Sequence, residues 1–591
     1  MVTNLKTDVL IVGGGTGGTA AAIQAARRGV KTTLVSEFSW LGGMLSAAGV
    51  CAPDGNELAA WQTGLWGSFL QALQRKQTGG LDNSWVSLFT YDPRIGAEIF
   101  AEWVKELPNL HWISGQIPLE VMRQGNRITG VRFADYFIEA KIAIDGTELG
   151  DLIALAEVPY RWGWELQSEF NEPSAPVTFN ELTQRYPVQS PTWVFILQDY
   201  QNSPSPSLPL SPSPFLPFSP SLFKGAWTNY GAEKFLNYGR LPGDLFMINW
   251  PICGNDYGEG LNRLIESASS RQEFLEEAYC HSQNFAYFIQ KELGKRYGLA
   301  EPIFPHDKSA FALHPYYRES RRIIGQVTIT EKDILPLNDG CVAALPRAED
   351  GKVSAIAIGN YANDHHYPGI EFPLQPKSIR WGGRWTGTPF TIPYGSLIPN
   401  SIEGLLVCEK NISVSHIANG STRLQPVVMN IGQAAGMAAA LCIELNCQPH
   451  EVPIRQIQEA LLTDSVAPAA VIPLYNLVPE HCDRIDWQRY YLDRPEDYPL
   501  DGNCPCQEVT DKAQNCNFYQ GIFRSRSHGQ YSITLTESTP QGKKVWSLIT
   551  TRPEINFQLQ NCQDGQLISL WGRCNFSGGW LLALHGFKRL S

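Results

Sequence analysis

Apolar positions fall into three regimes along the chain. The first opens with Val9-Leu-Ile-Val12, which breaks into glycines and continues as Thr19-Ala-Ala-Ala22. An unbroken apolar run of this length reads as a parallel strand buried on both faces. Thr19 to Arg28 reads as a helix closed by Gly29, and Lys31 to Val35 as a second strand. Ala140 to Ile144 predicts a strand that stops at Asp145-Gly146, and Leu405-Leu-Val407 predicts another. Asn430 to Leu445 predicts a long helix, where Gly432 and Gly436 flank Ala434-Ala435 and permit close packing. The second regime, 160–400, is rich in aromatics and proline and lacks βα repetition, which suits an inserted substrate domain. Within it, Ser203 to Ser221 contains only Ser, Pro, Leu and Phe, the composition of an irregular insertion loop. The third regime begins near Tyr490. Tyr531-Ser-Ile-Thr-Leu-Thr536, Lys544-Val-Trp-Ser-Leu-Ile549 and Trp580-Leu-Leu-Ala-Leu584 alternate or run apolar between turn residues. They predict a small antiparallel barrel or sandwich.

These regimes divide the chain into 1–160 and 401–450 as two parts of one dinucleotide fold, 161–400 as the insertion with its 203–221 loop, 451–484 as a helical tail, and 485–591 as a β domain. A length of 591 residues exceeds one compact core. A net charge of −11, with no basic run, argues against a nucleic-acid surface. The first strand starts within ten residues of Met1, and no run of eighteen apolar residues occurs. The expectation is therefore a cytoplasmic protein with no signal peptide and no membrane span. The thirteen cysteines include no C-x-x-C pair, so neither a zinc ribbon nor a thioredoxin-like motif is expected; Cys504-Pro-Cys506 reads as structural. Oligomeric state has no sequence signal.

Gly13, Gly15 and Gly18 carry the chemistry of the first regime. They fit G-x-G-x-x-G between a strand and a helix, with Glu37 nineteen residues after Gly18. Gly13 permits the tight turn, Gly15 lets a pyrophosphate approach the backbone, and Gly18 lets the helix pack closely. The phosphates meet a helix N-terminus, and Glu37 accepts from a ribose hydroxyl. This pattern predicts an adenine dinucleotide site; a plain glycine turn is the alternative.

Three further stretches, with the first, resemble the FAD-dependent oxidoreductase family related to succinate dehydrogenase and fumarate reductase flavoprotein subunits and to glutathione reductase, some members of which carry a "xanthan lyase" label. They are Ile144-Asp-Gly-Thr-Glu-Leu-Gly-Asp151, Tyr317-Arg-Glu-Ser-Arg-Arg-Ile-Ile-Gly325, and Ile412 through Gly420-Ser-Thr-Arg423 to Gly432-Gln-Ala-Ala-Gly-Met-Ala-Ala-Ala440. The resemblance spans roughly residues 5 to 450. It implies an α/β, Rossmann-like FAD-binding domain of the glutathione reductase type, an inserted mixed α+β substrate domain and a small C-terminal all-β domain. It implies FAD, held by Gly13, Gly15, Gly18, Glu37, Gly42, Gly43, Asp145, Arg423, Gly432, Gln433 and Ala434. Leu41-Gly-Gly-Met44 agrees, because two glycines beyond the ribose acid let the chain run beside a long cofactor. A helix starting near Gly432 is expected to aim its positive end at the flavin. No histidine stands beside Gly42-Gly43, so noncovalent FAD is expected, and no second G-x-G-x-x-G marks an NAD(P)H domain.

Candidate catalytic residues lie in the middle region. His314 leads into the arginine block; if Tyr317 to Ile323 is extended, Arg318 and Arg322 share a face and form an anion anchor. An internal ion-pair network is an equal alternative. Asp364-His365-His366-Tyr-Pro368 offers a histidine that moves protons, while no ligand spacing suggests a metal. Asn249-Trp-Pro-Ile-Cys-Gly-Asn-Asp256 has the makeup of a pocket wall. The expected activity is hydride transfer between a small polar, anionic metabolite and flavin N5. The alternatives are an electron-relay or docking flavoprotein and a carbohydrate-directed flavoenzyme, the latter suggested by seventeen tryptophans and the appended domain.

Overall fold

The computed structural model describes residues 2–210, 216–307, 309–506, 516–527, 529–539 and 542–590. Its organising element is a seven-stranded sheet. β1 (Thr3–Val12) pairs in parallel with β2 (Thr32–Ser36), which pairs with β3 (Leu110–Ser114). On its other side β1 pairs in parallel with β6 (Tyr136–Asp145), whose C-terminal half takes the parallel strand Leu405–Val407. β4 (Glu120–Gln124) and β5 (Arg127–Arg132) form a hairpin that extends the far edge through β6. This is a Rossmann-like α/β sheet, closed by a strand from residues far along the chain.

α1 (Thr16–Arg27) connects β1 to β2 and is buried along almost its whole length. It packs on helix Gln425–Leu445 through small residues. A Cβ at Gly432 would stand 2.2 Å from the Gly17 carbonyl, and one at Gly436 would stand 2.3 Å from that of Ala21. The expected helix start near Gly432 is thus corrected: Pro426 opens the helix at Gln425, and Gly432 sits inside it as a packing contact. Helix Gln425–Leu445 is long and apolar enough to cross a membrane, but it is the buried core helix of this fold.

The inserted region builds a four-stranded antiparallel sheet, with Phe195–Asp199 and Leu245–Ile248 at its centre, backed by the 26-residue helix Ala268–Leu293. The Ser/Pro-rich segment is less detached than its composition suggests. Gln290 Nε2 on that helix donates to Ser205 Oγ and the Pro206 carbonyl, and Asn284 Nδ2 donates to the Leu216 carbonyl. Residues 211–215 of the segment lie outside the described residues.

The tail and its boundary also differ from expectation. Ile454–Leu462 is helical, but 463–483 is irregular: Pro468, Pro473 and Pro479 interrupt it, while Val471, Ile472 and Leu474 are buried in the main core. Helix Arg484–Asp493 follows, and Tyr491, Leu492, Tyr498 and Cys504 belong to the main hydrophobic core. The strands of the β domain therefore begin at Asn517, well after the expected boundary at 485. Its five strands close into a barrel. One pairing, Val545–Thr550 with Trp580–Arg589, is parallel; helix Pro553–Gln560 and strand Leu567–Asn575 supply the crossover a parallel pair requires.

Candidate functional site

Two cavities meet at the segment His314 to Arg318. The larger, about 1040 Å³, is lined by Gly13, Gly14 and Gly15 at the end of β1, by Glu37 just past β2, and by Glu148 and His314. It exceeds the usual range for ligand pockets, about 300–1,000 Å³. Gly13 has φ +106°, and a Cβ there would strike the Gly146 carbonyl at 2.2 Å, so the turn admits only glycine. Desolvation in the cavity wall, with Asp151 nearby, lifts the Glu37 carboxyl to about 7 against the pull of Arg271. Arg271 itself grips Asp151 with both terminal nitrogens, at 3.0 and 2.7 Å. His314 stacks on Phe38 at 4.9 Å, and burial lowers its pKa.

Other expected cofactor residues stand behind this surface. Gly18 packs against the Gly13 carbonyl. Gly42 donates its N–H to the Gly14 carbonyl, and Gly43 lies against Gly15 and Thr16. Asp145 does not face the cavity: its carboxylate accepts from Thr147 N, Thr147 Oγ1 and Ile153 N, closing the turn after β6. Gln433 bridges Gln24, Ala467 and Leu65 inside the core, and Ala434 is fully buried beside it. Gln433 and Ala434 shape the scaffold, because helix Gln425–Leu445 spends its small residues on packing against α1.

A buried charged triad adjoins the glycine turn. Glu409 follows strand Leu405–Val407, and its Oε1 accepts the Gly17 N–H at 2.5 Å. Lys410 Nζ lies 3.1 Å from Glu409 Oε2 and 2.6 Å from Glu148 Oε2. Burial lifts the Glu409 carboxyl to about 7 despite Lys410. Burial works the same way on Glu148, but Lys410 and His314 hold that carboxyl below its ordinary value. Sequence reading assigns none of the three a role: Glu148 lies inside the stretch Ile144 to Asp151 without being singled out, and no motif marks Glu409 or Lys410.

The smaller cavity, about 30 Å³, is lined by Asp54, Tyr238, Asn249, Tyr316, Arg318, Tyr361, His366 and Arg423, with Leu424 and Gln425 at the N-terminus of the core helix. Tyr317 faces the larger cavity and Tyr316 the smaller one, so this segment is the partition between them. The three sequence candidates converge here. Arg318 Nη1 lies 3.2 Å from Asp256, Arg318 Nη2 lies 3.5 Å from Asn249 Oδ1, and His366 links Asp256 (3.1 Å) to Asp364 (2.8 Å). Arg423 Nη1 donates to Tyr316 OH at 2.5 Å and Nη2 faces Asp364 at 3.4 Å. Arg423 thus serves this cavity and not the glycine turn. The buried Nε atoms of Arg318 and Arg423 have no hydrogen-bond partner. Despite burial, His366 and the arginines hold Asp364 below the usual carboxylate range, and Arg318 chiefly brings Asp256 to about 2. Asp54 goes the other way: burial, then Glu57 and Asp364, raise its carboxyl well above the ordinary value.

Arg322 and His365 join a different network. Arg322 Nη1 pairs with Glu165 at 2.7 Å, and His365, Tyr367, His416 and Glu319 form a chain at 2.7, 2.6 and 2.9 Å. The expected shared face of Arg318 and Arg322 does not form, because only Arg322–Ile323 is strand and the preceding residues follow an irregular path. Among the described residues, buried His481 with exposed Cys482 and Asp483 is the one group spaced for a metal, and it includes none of these sequence candidates.

The family model described as FAD dependent oxidoreductase matches residues 8–461. No curated protein matches the chain. Among solved structures it is similar to Aquifex aeolicus GidA at 20% identity over 24% of this chain and 25% of that one, with a TM-score of 0.18. It is similar to L-proline dehydrogenase from P. horikoshii at 19% identity over 28% and 25%, TM-score 0.16. A third is the FAD-complexed glycerol-3-phosphate dehydrogenase from Bacillus halodurans, at 16% identity over 26% and 37%, TM-score 0.19. The chain spans about a quarter of the length of the first two.

Proposed function

The chain belongs to the FAD dependent oxidoreductase family, and we propose that it moves a hydride between a small anionic metabolite and noncovalently bound FAD, in a glutathione reductase-type domain arrangement. The residues present fit the cofactor: backbone glycines and a ribose-height acid, Glu37, line one wall of the larger cavity. When bound, the flavin supplies the two-electron chemistry. The chain's own residues bind, orient and move a proton.

The observation that carries the reading is the pair of unpartnered guanidinium Nε atoms, Arg318 and Arg423, at the small cavity. A buried charged donor without a partner is costly, and a carboxylate supplies the missing acceptor. The positive end of helix Gln425–Leu445 reinforces that preference. A volume of about 30 Å³ is far below the roughly 300 Å³ or more of a ligand pocket. The metabolite's acid group therefore enters by displacing the lining side chains, while its reacting carbon faces the larger cavity across Tyr316 and Tyr317. His366, with carboxylates on both ring nitrogens, offers a route for the proton, and Asp54 is the neighbouring acid that keeps its own.

The test is anaerobic bleaching of the yellow protein by small carboxylic acids and by their matched amides. Reduction by an acid but not its amide supports the reading. Equal reduction by both removes the arginines as anchor, and a colourless chain that takes up no FAD removes the cofactor.

A further inference from the structure

α1 presents its N-terminus to the glycine turn, where a dinucleotide diphosphate gains most from free N–H groups and the helix dipole. One of those donors is already engaged: Gly17 N–H binds Glu409 Oε1, and that oxygen lies 2.4 Å from where a Cβ on Gly15 would sit. Glu409 and Lys410 are fully buried, and Glu148 Oε1 is buried without a hydrogen-bond partner. Two carboxylates around one ammonium leave a net negative charge beside the turn that must receive an anion. Charges brought this close in a buried site repel strongly.

We propose that Glu409 is a resident anion at the N-terminus of α1, so that loading of a dinucleotide diphosphate is coupled to proton uptake by the Glu148–Glu409 pair. This rests on the FAD reading above. Glu409 stands two residues past its strand and is held by both the Gly17 N–H and Lys410, so adding a proton relieves the repulsion without breaking those contacts. Its carboxyl, lifted to about 7 by burial, takes that proton near neutral pH. The charged and titratable groups around it are Lys410 on its own segment, Glu148 on the loop after β6, His314 on the partition, and Asp145 and Cys408 at the strand ends; α1 contributes its dipole alone.

The experiment measures FAD, ADP and adenosine affinity of the full-length, flavin-free chain from pH 6 to pH 9, for the parent and Glu409→Gln. Glutamine still accepts the Gly17 N–H. In the parent, FAD and ADP should weaken by about tenfold per pH unit above pH 7, the slope for one linked proton, while adenosine stays flat. Glu409→Gln should flatten the FAD and ADP profiles and bind both about tenfold more tightly at pH 8. Titration calorimetry in two buffers of different ionisation heat should count proton uptake in the parent and less in the variant. The parent's pH profile alone tests the idea if the variant folds poorly. Flat parent profiles with FAD binding intact overturn this proposal only. Absence of FAD and ADP binding at every pH overturns the FAD reading and this proposal with it.

Discussion

Arg318 and Arg322, four residues apart, answer to different surroundings, and substitution should separate them. Arg318→Lys keeps a charge but loses the fork that reaches Asp256, Ser190 and Thr192. Losing one charge-assisted contact costs about 1.5–3 kcal/mol, so steady-state kinetics should show kcat/KM down roughly ten- to a hundredfold with the flavin retained. Arg322→Met leaves buried Glu165 with only the more distant Arg161, at 3.9 Å, and the His416 N–H, a change that costs up to about 3–5 kcal/mol. Thermal melts should show a clear drop in Tm before any kinetic defect is read. Residue types with local signatures were legible in the sequence: the glycine turn, Glu37, Arg318, His366 and the 249–256 wall. Asp54, Tyr238, Tyr361, Glu409 and Lys410 were not. Their roles come from neighbours hundreds of residues away, and no spacing encodes such a meeting.

At the scale of elements, single buried acids tie segments together. Glu172 Oε1 accepts from Glu331 N at 2.7 Å and from Ser415 Oγ, the N-cap of helix His416–Thr422, while its other oxygen has no partner. Burial lifts this carboxyl to about 7, above the ordinary 4.5. Between those values the folded chain keeps a proton that the unfolded chain has released. The stability from this group is thus present below pH 4.5 and is lost as pH rises through 7. Glu172→Gln removes that dependence, so the Tm of the variant relative to the parent should improve from pH 5 to pH 8 in paired melts. The parallel strands and α1 were legible because buried runs and glycine punctuation are local. The start of the core helix was not: its alanines begin only at Ala434, and among residues 425–433 only Pro426 marks where the helix begins.

At the scale of the whole molecule, the barrel and the main core share surfaces. Asp82 meets Asn575 and Trp580, and Ala59 N–H bonds the Thr551 carbonyl. Between 484 and 506, Tyr491, Leu492, Tyr498 and Cys504 are buried in the main core, while Asp486, Asp493 and Asp501 face solvent. A chain ending at 484 should therefore give less soluble protein and a lower Tm than one ending at 506, in parallel expression and melting. Composition changes near Tyr490 and so misplaces this boundary; the true one follows packing, which composition does not report. The Ser/Pro-rich segment carries a different lesson. Gln290 and Asn284 grip it by carbonyl oxygens, at Pro206 and Leu216, with Ser205 Oγ as the one side-chain hold among these three. Every amino acid has a carbonyl, so mutation over evolutionary time can rewrite the letters at these two moorings without loosening them, whereas Leu208 and Phe218 hold the segment by side chains packed on the core and resist exchange.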